Sequence, residues 1–124
     1  MSVVVMRVKD AVGQFGEQLA VTTLEADGLV VLDRNWRCPD GELDIVAVDG
    51  AVLAFVEVKT RSSVAYGDPA EAVGPAKAAR IRRLAVRWLA AHGEQRWPEV
   101  RFDVVAVVRN APGGPDVRHL RGAF

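Results

Sequence analysis

Asp49-Gly50 divides residues 41–61, GELDIVAVDGAVLAFVEVKTR, into two runs rich in apolar and β-branched residues. An Asp-Gly pair so placed is the strongest short-range hairpin signal, because both central residues of a type I′ turn need positive φ, which Asp tolerates and Gly adopts freely. The centre of the chain is thereby committed to an antiparallel strand pair on which the rest must pack. With Val48 opposite Ala51, counting outward sets Asp44 opposite Phe55 and Glu42 opposite Glu57, and makes Glu57 the diagonal neighbour of Asp44. Side chains alternate along a strand. Leu53, Phe55, Glu57, Lys59 and Arg61 are therefore expected on one face, and Val52, Ala54, Val56 and Val58 on the other. Asp44, Glu57 and Lys59 then converge on a single face. Diagonal Cα atoms lie roughly 7–8 Å apart, a gap that two inward-reaching carboxylates can close onto one ion with ligands at about 2.0–2.1 Å for magnesium.

Energetics bear on what such a cluster is for. A solvated ion pair is worth about 0–1 kcal/mol, whereas carboxylates flanked by Val46, Leu53, Phe55 and Val56 lose hydration at a cost of several kcal/mol per unpaired ion. Lys59 neutralises only one of Glu42, Asp44 and Glu57, which leaves an acidic pocket suited to a hard cation. The plainer reading makes this the solvated side of an edge hairpin, with Glu57 and Lys59 as surface charges.

At 124 residues, half of them hydrophobic and 26% charged, the chain is long enough for one core of mixed helix and sheet. Its 16 basic and 16 acidic residues balance, so any case for nucleic-acid binding rests on local charge. Cys38 is the only cysteine, which excludes an intrachain disulfide and a multi-cysteine zinc site. The apolar run in MSVVVMRVKD is too short for a signal peptide, and no stretch approaches the ~18 apolar residues of a membrane span. A cytoplasmic protein with no membrane role is expected.

Asp10 to Gly28 reads as a first helix, with Asp10 as N-cap and Gly28 as the stop, although Gly13 and Gly16 weaken it. Leu29 to Asn35 suits a short buried strand, and Cys38-Pro39-Asp40-Gly41 turns into the hairpin. Arg61 to Gly67 reads as a polar loop. Pro75 opens a second helix with apolar residues at three- and four-residue spacing, ending at Gly93. Arg101 to Val108 is a further strand, and Asn110 to Pro115 a turn before a tail with room for one more short strand. The order predicts an α/β fold, a mixed sheet flanked by helices.

Glu17 sits mid-helix among Gly13, Ala20, Val21 and Leu24, and is either a boundary glutamate reaching solvent or a ligand aimed at the hairpin. Lys77, Arg80, Arg83 and Arg87 form one stripe of the second helix, with no acidic residue between Glu71 and Glu94. That stripe is either a solvated face or a footprint for a polyanion. Asp40, before Gly41, reads as a turn residue. Asp103, His92 and His119 read as edge, helix-terminal and tail residues, and Trp36, Trp88 and Trp97 as packing residues.

Asp44, 12 intervening residues, then Glu57-Val58-Lys59 resembles the signature of the PD-(D/E)XK, or restriction-endonuclease-like, superfamily. With GQFGEQLA, DRNWRCPDGELDIVAVDG, AFVEVKTR, YGDP, the Lys-led basic helix and RFDVVAV, nearly the whole chain resembles the bacterial YraN family of predicted nucleases. The resemblance implies one restriction-endonuclease-like domain over residues 1–124, with a core of helix, three-stranded meander, helix and strand. It implies that Asp44, Glu57 and the Val58 carbonyl hold Mg²⁺ or Mn²⁺, that Lys59 is the catalytic lysine, and that Glu17 is the first-helix glutamate also found in archaeal Holliday-junction resolvases. Leu43 precedes Asp44 where the motif has proline, so the literal Pro39-Asp40 pair would misdirect a reader to Asp40. Glu42 stands as a further acid or is turned away by a bulge near Gly41. The expected function is DNA phosphodiester hydrolysis, with Arg61 and the basic stripe on the DNA backbone, and with a homodimer matching a two-fold junction. A non-catalytic nucleic-acid-binding module is the rival.

Overall fold

The computed structural model describes residues 8–63, 73–93 and 96–124. Helix α1 spans Val8–Ala26. Because it begins before Asp10, that residue is not its N-cap. Its other end follows the glycine logic. Gly28 has φ +89°, Gly28 N–H donates to the Glu25 carbonyl at 3.0 Å and Leu29 N–H to the Leu24 carbonyl at 3.0 Å, the paired bonds of a Schellman motif. Leu24 and Leu29, both buried, join the same core cluster, adding the hydrophobic contact that accompanies such caps.

Strands β1 (Val30–Cys38), β2 (Gly41–Asp49) and β3 (Val52–Arg61) follow as a meander, then α2 (Pro75–Ala91), β4 (Glu99–Val108) and β5 (Asp116–Leu120). The sheet order is β1-β2-β3-β4-β5, with β3 and β4 parallel and the other pairs antiparallel. The fold is α/β, a mixed five-stranded sheet with a restriction-endonuclease-like core. The α2 crossover is what allows β4 to run parallel to β3. The expected polar loop after Arg61 falls mostly outside the described residues.

Two cores sandwich the sheet. On one side Ala20, Val21 and Leu24 of α1 pack with Ile45, Ala47, Ala54, Val56, Val105 and Val107. On the other, Ile81, Leu84, Ala85 and Trp88 of α2 pack with Leu43, Val46, Leu53 and Phe55. Trp36 and Trp97 pack against the α2 side, and buried Trp88 donates Nε1–H to Asp33 at 3.0 Å. All three tryptophans thus serve packing.

Two further expectations need correction. β1 is an outer strand rather than a buried one: it pairs with β2 alone, leaving Val30 and Leu32 exposed. The hairpin turn also sits one residue later than the Asp-Gly signal implies. Asp49 pairs with Val52, so Gly50-Ala51 is the two-residue loop. Gly50 alone of that pair has positive φ, +61°, the requirement of a turn with glycine in its first central position. Asp49 is held at the strand end instead, its carboxylate accepting from Arg101 at 2.8 Å and Arg121 at 3.1 Å.

Candidate metal centre

The shifted turn moves every cross-strand partner by two residues. Phe55 faces Val46, and the ladder of β2 and β3 ends at Ile45 and Val56. One step further, Asp44 and Glu57 come abreast as the strands part. The first β3 amide beyond this gap is capped by a side chain: Val58 N–H donates to Asp44 Oδ2 at 2.9 Å.

Asp44 also marks a break in the pleat. Arg34 pairs with Ile45 and Trp36 with Leu43, and Asn35 between them has φ +51°, a left-handed conformation that Asn tolerates better than most residues. On either side of the break, residues two apart face opposite cores. Leu43 joins the α2 side and Ile45 the α1 side. Arg34 reaches Gln18 of α1, while Trp36 packs on the α2 side. Strict alternation does not carry through Asp44, so Asp44, Glu57 and Lys59 do not share a face as the register count predicts. Glu57 and Lys59 alternate with Val56 and Val58 of the α1 side, and so lie towards α2. Asp44 reaches towards α1, and the three meet across the parted strands.

The result is a cleft of about 490 Å³ lined by Val12, Gly13, Glu17, Asp44, Glu57, Val58, Lys59, Thr60 and Lys77. Carboxylate oxygens of Glu17, Glu42 and Asp44 lie within 4.8 Å of one another. Glu42, outside the residues that line the cleft, thus brings a carboxylate oxygen close to Glu17 and Asp44, while its Oε2 accepts from Arg37 at 2.8 Å. It stands beside Arg37 in the register rather than opposite Glu57. Glu57, 8% exposed, approaches from the other side. Burial, with the negative charge of Glu57 next in effect, raises the Asp44 carboxyl to about 7. A carboxyl pushed so far up reports an excess of acid in a poorly hydrated place. Hard oxygen donors packed this closely suit Mg²⁺ or Mn²⁺.

Glu17 owes its position to Gly16. A Cβ at Gly16 would stand 1.9 Å from Thr60 Oγ1, so α1 lies almost in contact with β3, and the next residue falls beside Asp44. The glycine that weakened the helix in the sequence thus fixes its approach.

The family model for Uncharacterised protein family UPF0102 matches residues 16–107, a span that includes each of these acids and both lysines. The chain belongs to the UPF0102 family. This is the YraN family that its motifs resemble. It is 62% identical over 117 residues to a UPF0102 protein of Beutenbergia cavernae, covering 94% of this chain and 98% of that one. A UPF0102 protein of Frankia alni is 60% identical over 119 residues, covering 96% and 98%. One from Arthrobacter sp. is 56% identical over 117 residues, covering 94% and 98%.

The basic stripe of α2 in this UPF0102 chain is divided among partners. Lys77 turns into the cleft, its Nζ 2.6 Å from Glu57 Oε1, nearer than Lys59 at 3.9 Å. Burial, then the neighbouring Lys77, lowers the pKa of Lys59. Arg87 pairs with Asp40 at 2.5 Å, tying α2 to the β1–β2 turn, and Arg82 lies 4.4 Å above the Phe102 ring. Arg80 and Arg83 are exposed and have no ion-pair partner among the described residues. Arg61 is half-buried at the end of β3, with its Nε lacking a hydrogen-bond partner among the described residues.

Asp103 and His119, expected at an edge and in the tail, form a buried pair. Asp103 is fully buried on β4, an interior strand. It accepts from Arg101 at 2.8 and 2.9 Å, from His119 Nε2 at 2.8 Å and from Gly122 N–H at 3.0 Å. Burial alone would raise its carboxyl, but the bonds from His119 and Arg101 prevail and hold it at about 2. These bonds fasten β5 and the C-terminal residues to the sheet. The alternating pattern of RFDVVAV places Asp103 on the same side as Val105, a hint that it faces a core, but its partners come from distant residues that spacing does not reveal.

Proposed function

We propose that the chain is a metal-dependent endonuclease that hydrolyses phosphodiester bonds in DNA, with branched or structured DNA as its substrate class. The supporting observation is the gathering of Glu17, Asp44 and Glu57 with Lys59 and Lys77 around one open cleft, with a Glu42 oxygen near those of Glu17 and Asp44. Asp44, Glu57 and the Val58 carbonyl would hold Mg²⁺ or Mn²⁺, with Glu17 and Glu42 adding oxygens on the α1 side. When bound, such an ion lowers the pKa of water and stabilises charge on phosphate oxygens.

The chain's own residues supply the rest. Lys59, on the same strand as Glu57, orients the attacking water and offsets negative charge in the pentavalent transition state. Glu17 accepts a hydrogen bond from that water. Arg80 and Arg83 present cations to the DNA backbone, contacts that carry little sequence information. A shape, a branch or a strand end is thus the natural target, and a homodimer would present two such clefts to a two-fold junction.

The test is incubation of the purified chain with Mn²⁺ and linear, single-stranded, flapped and four-way DNA. Cleavage lost in Glu57→Ala and Lys59→Ala is expected. Cleavage unaffected by both changes overturns the assignment. Salt-dependent DNA binding with no cleavage of any substrate favours the non-catalytic binding module.

A further inference from the structure

Glu57 is buried, yet its nearest cation is not the lysine of its own strand. Lys77, from the first turn of α2, stands 2.6 Å from Glu57 Oε1 against 3.9 Å for Lys59. Both lysines line the same cleft as Asp44 and Glu17. A carboxylate with so little solvent needs a counter-ion, and here it has one from a separate element. Any cation that binds Glu57 from within the cleft, through either carboxylate oxygen, must displace this ammonium group or share the carboxylate with it. Sharing is disfavoured, because two positive centres within a few ångströms of each other repel strongly where water is scarce.

We infer that Lys77 is an exchangeable counter-ion latch: it holds Glu57 until a divalent cation enters, and is then displaced towards the phosphate that the cation recruits. This rests on the metal-dependent reading above and assigns a positioning role to Lys77 within it. The latch is built for release. Lys77 has a long, rotatable stem and is partly exposed, about 31% at the side chain, so its head can leave Glu57 without moving α2. Pro75 opens the helix two residues earlier, which keeps the backbone of this turn in place. Released, the ammonium would remain at the cleft mouth, one turn from exposed Arg80 and two from Arg83. The outward stripe expected from the sequence would then form only once Glu57 is engaged by metal. By linkage, the metal and Lys77 weaken each other's hold on Glu57 to the same degree.

The test measures Mn²⁺ affinity without DNA by titration calorimetry on the full chain, its Lys77→Met and Lys77→Gln variants, and Lys77→Arg. The neutral variants are expected to bind Mn²⁺ about fivefold or more tightly than the parent, and Lys77→Arg to restore parental affinity. A merely structural lesion would loosen the site rather than tighten it. The same neutral variants should bind DNA more weakly in the presence of Ca²⁺. Equal or weaker Mn²⁺ affinity in both neutral variants, against measurable binding by the parent, overturns the latch and leaves the metal reading intact. No Mn²⁺ binding by any of the four chains overturns the metal reading and the latch with it.

Discussion

Gly16 of α1 and Thr60 of β3 lie so close that a Cβ on the glycine would meet Thr60 Oγ1 at 1.9 Å and Thr60 Cβ at 3.0 Å. Rotating the threonine relieves only the first contact, so a larger residue at position 16 must push the helix away. Glu17 would move with it. Gly16→Ala is expected to lower stability by about 1–3 kcal/mol, despite a gain in helix propensity of roughly 1 kcal/mol, and to weaken Mn²⁺ binding. Gly13→Ala, where a Cβ meets nothing within 4 Å, should instead stabilise by about 0.5–1 kcal/mol. Urea unfolding of the two variants checks both signs. Equal effects would dissociate the close approach from stability.

Asp44→Asn should make the metal-free protein more stable while abolishing its metal binding. The Asp44 carboxyl is raised from 3.8 to about 7 by burial and by Glu57, so ionisation costs the folded state more than the unfolded one. That penalty is absent below about pH 4, grows as pH rises, and is complete above about pH 7. The asparagine keeps an oxygen for the Val58 amide. The gain in melting temperature is expected to be a few degrees near pH 8 and to shrink towards pH 4. Calorimetric scans across this range would reject the idea if the variant melted lower throughout.

Asp103 should control acid stability. Its folded-state carboxyl is lowered from 3.8 to about 2, so its stabilisation is present above about pH 4 and is lost as pH falls through about 2. A shift of nearly two units corresponds to roughly 2 kcal/mol. Asp103→Ala leaves Arg101 and His119 without their shared acceptor and should cost about 3–5 kcal/mol near neutral pH, with a flatter acid limb. Unfolding midpoints at a series of pH values measure both; an unchanged acid limb would remove Asp103 from the explanation.

Arg80→Glu with Arg83→Glu should weaken DNA binding and reduce its salt dependence by about one unit of log-log slope per lost phosphate contact. Arg87→Ala, which breaks an exposed pair with Asp40, should cost only about 0–1 kcal/mol of stability and leave DNA binding unchanged. Fluorescence anisotropy over a salt series distinguishes these outcomes. Equal losses from both changes would spread the DNA surface beyond Arg80 and Arg83.

The hairpin, the helix after Pro75 and the strand around Asp103 were legible because each rests on local chemistry: turn residues, apolar spacing and β-branched runs. The convergence of Asp44, Glu57 and Lys59 was legible too, but for an incomplete reason. A count assuming one turn type is off by two residues, which leaves the faces of both strands unchanged; the kink at Asn35 and Asp44 then turns Asp44 towards α1, and the three meet because the strands part there. Nothing local reveals that kink, since asparagine adopts positive φ only where its surroundings require it.

Element order, the cysteine count, the balanced charge and the spacing from Asp44 to Lys59 belong to the sequence alone, because each depends on neighbours in the chain. The tertiary structure decided which cation Glu57 receives, that Glu42 comes near Glu17 and Asp44, how closely α1 approaches β3, and that Asp103 is buried among Arg101, His119 and Gly122. Those outcomes depend on how far apart packed elements come to rest. At ion-pair range, a shift of an ångström changes the partner, and no periodicity in the sequence encodes that distance.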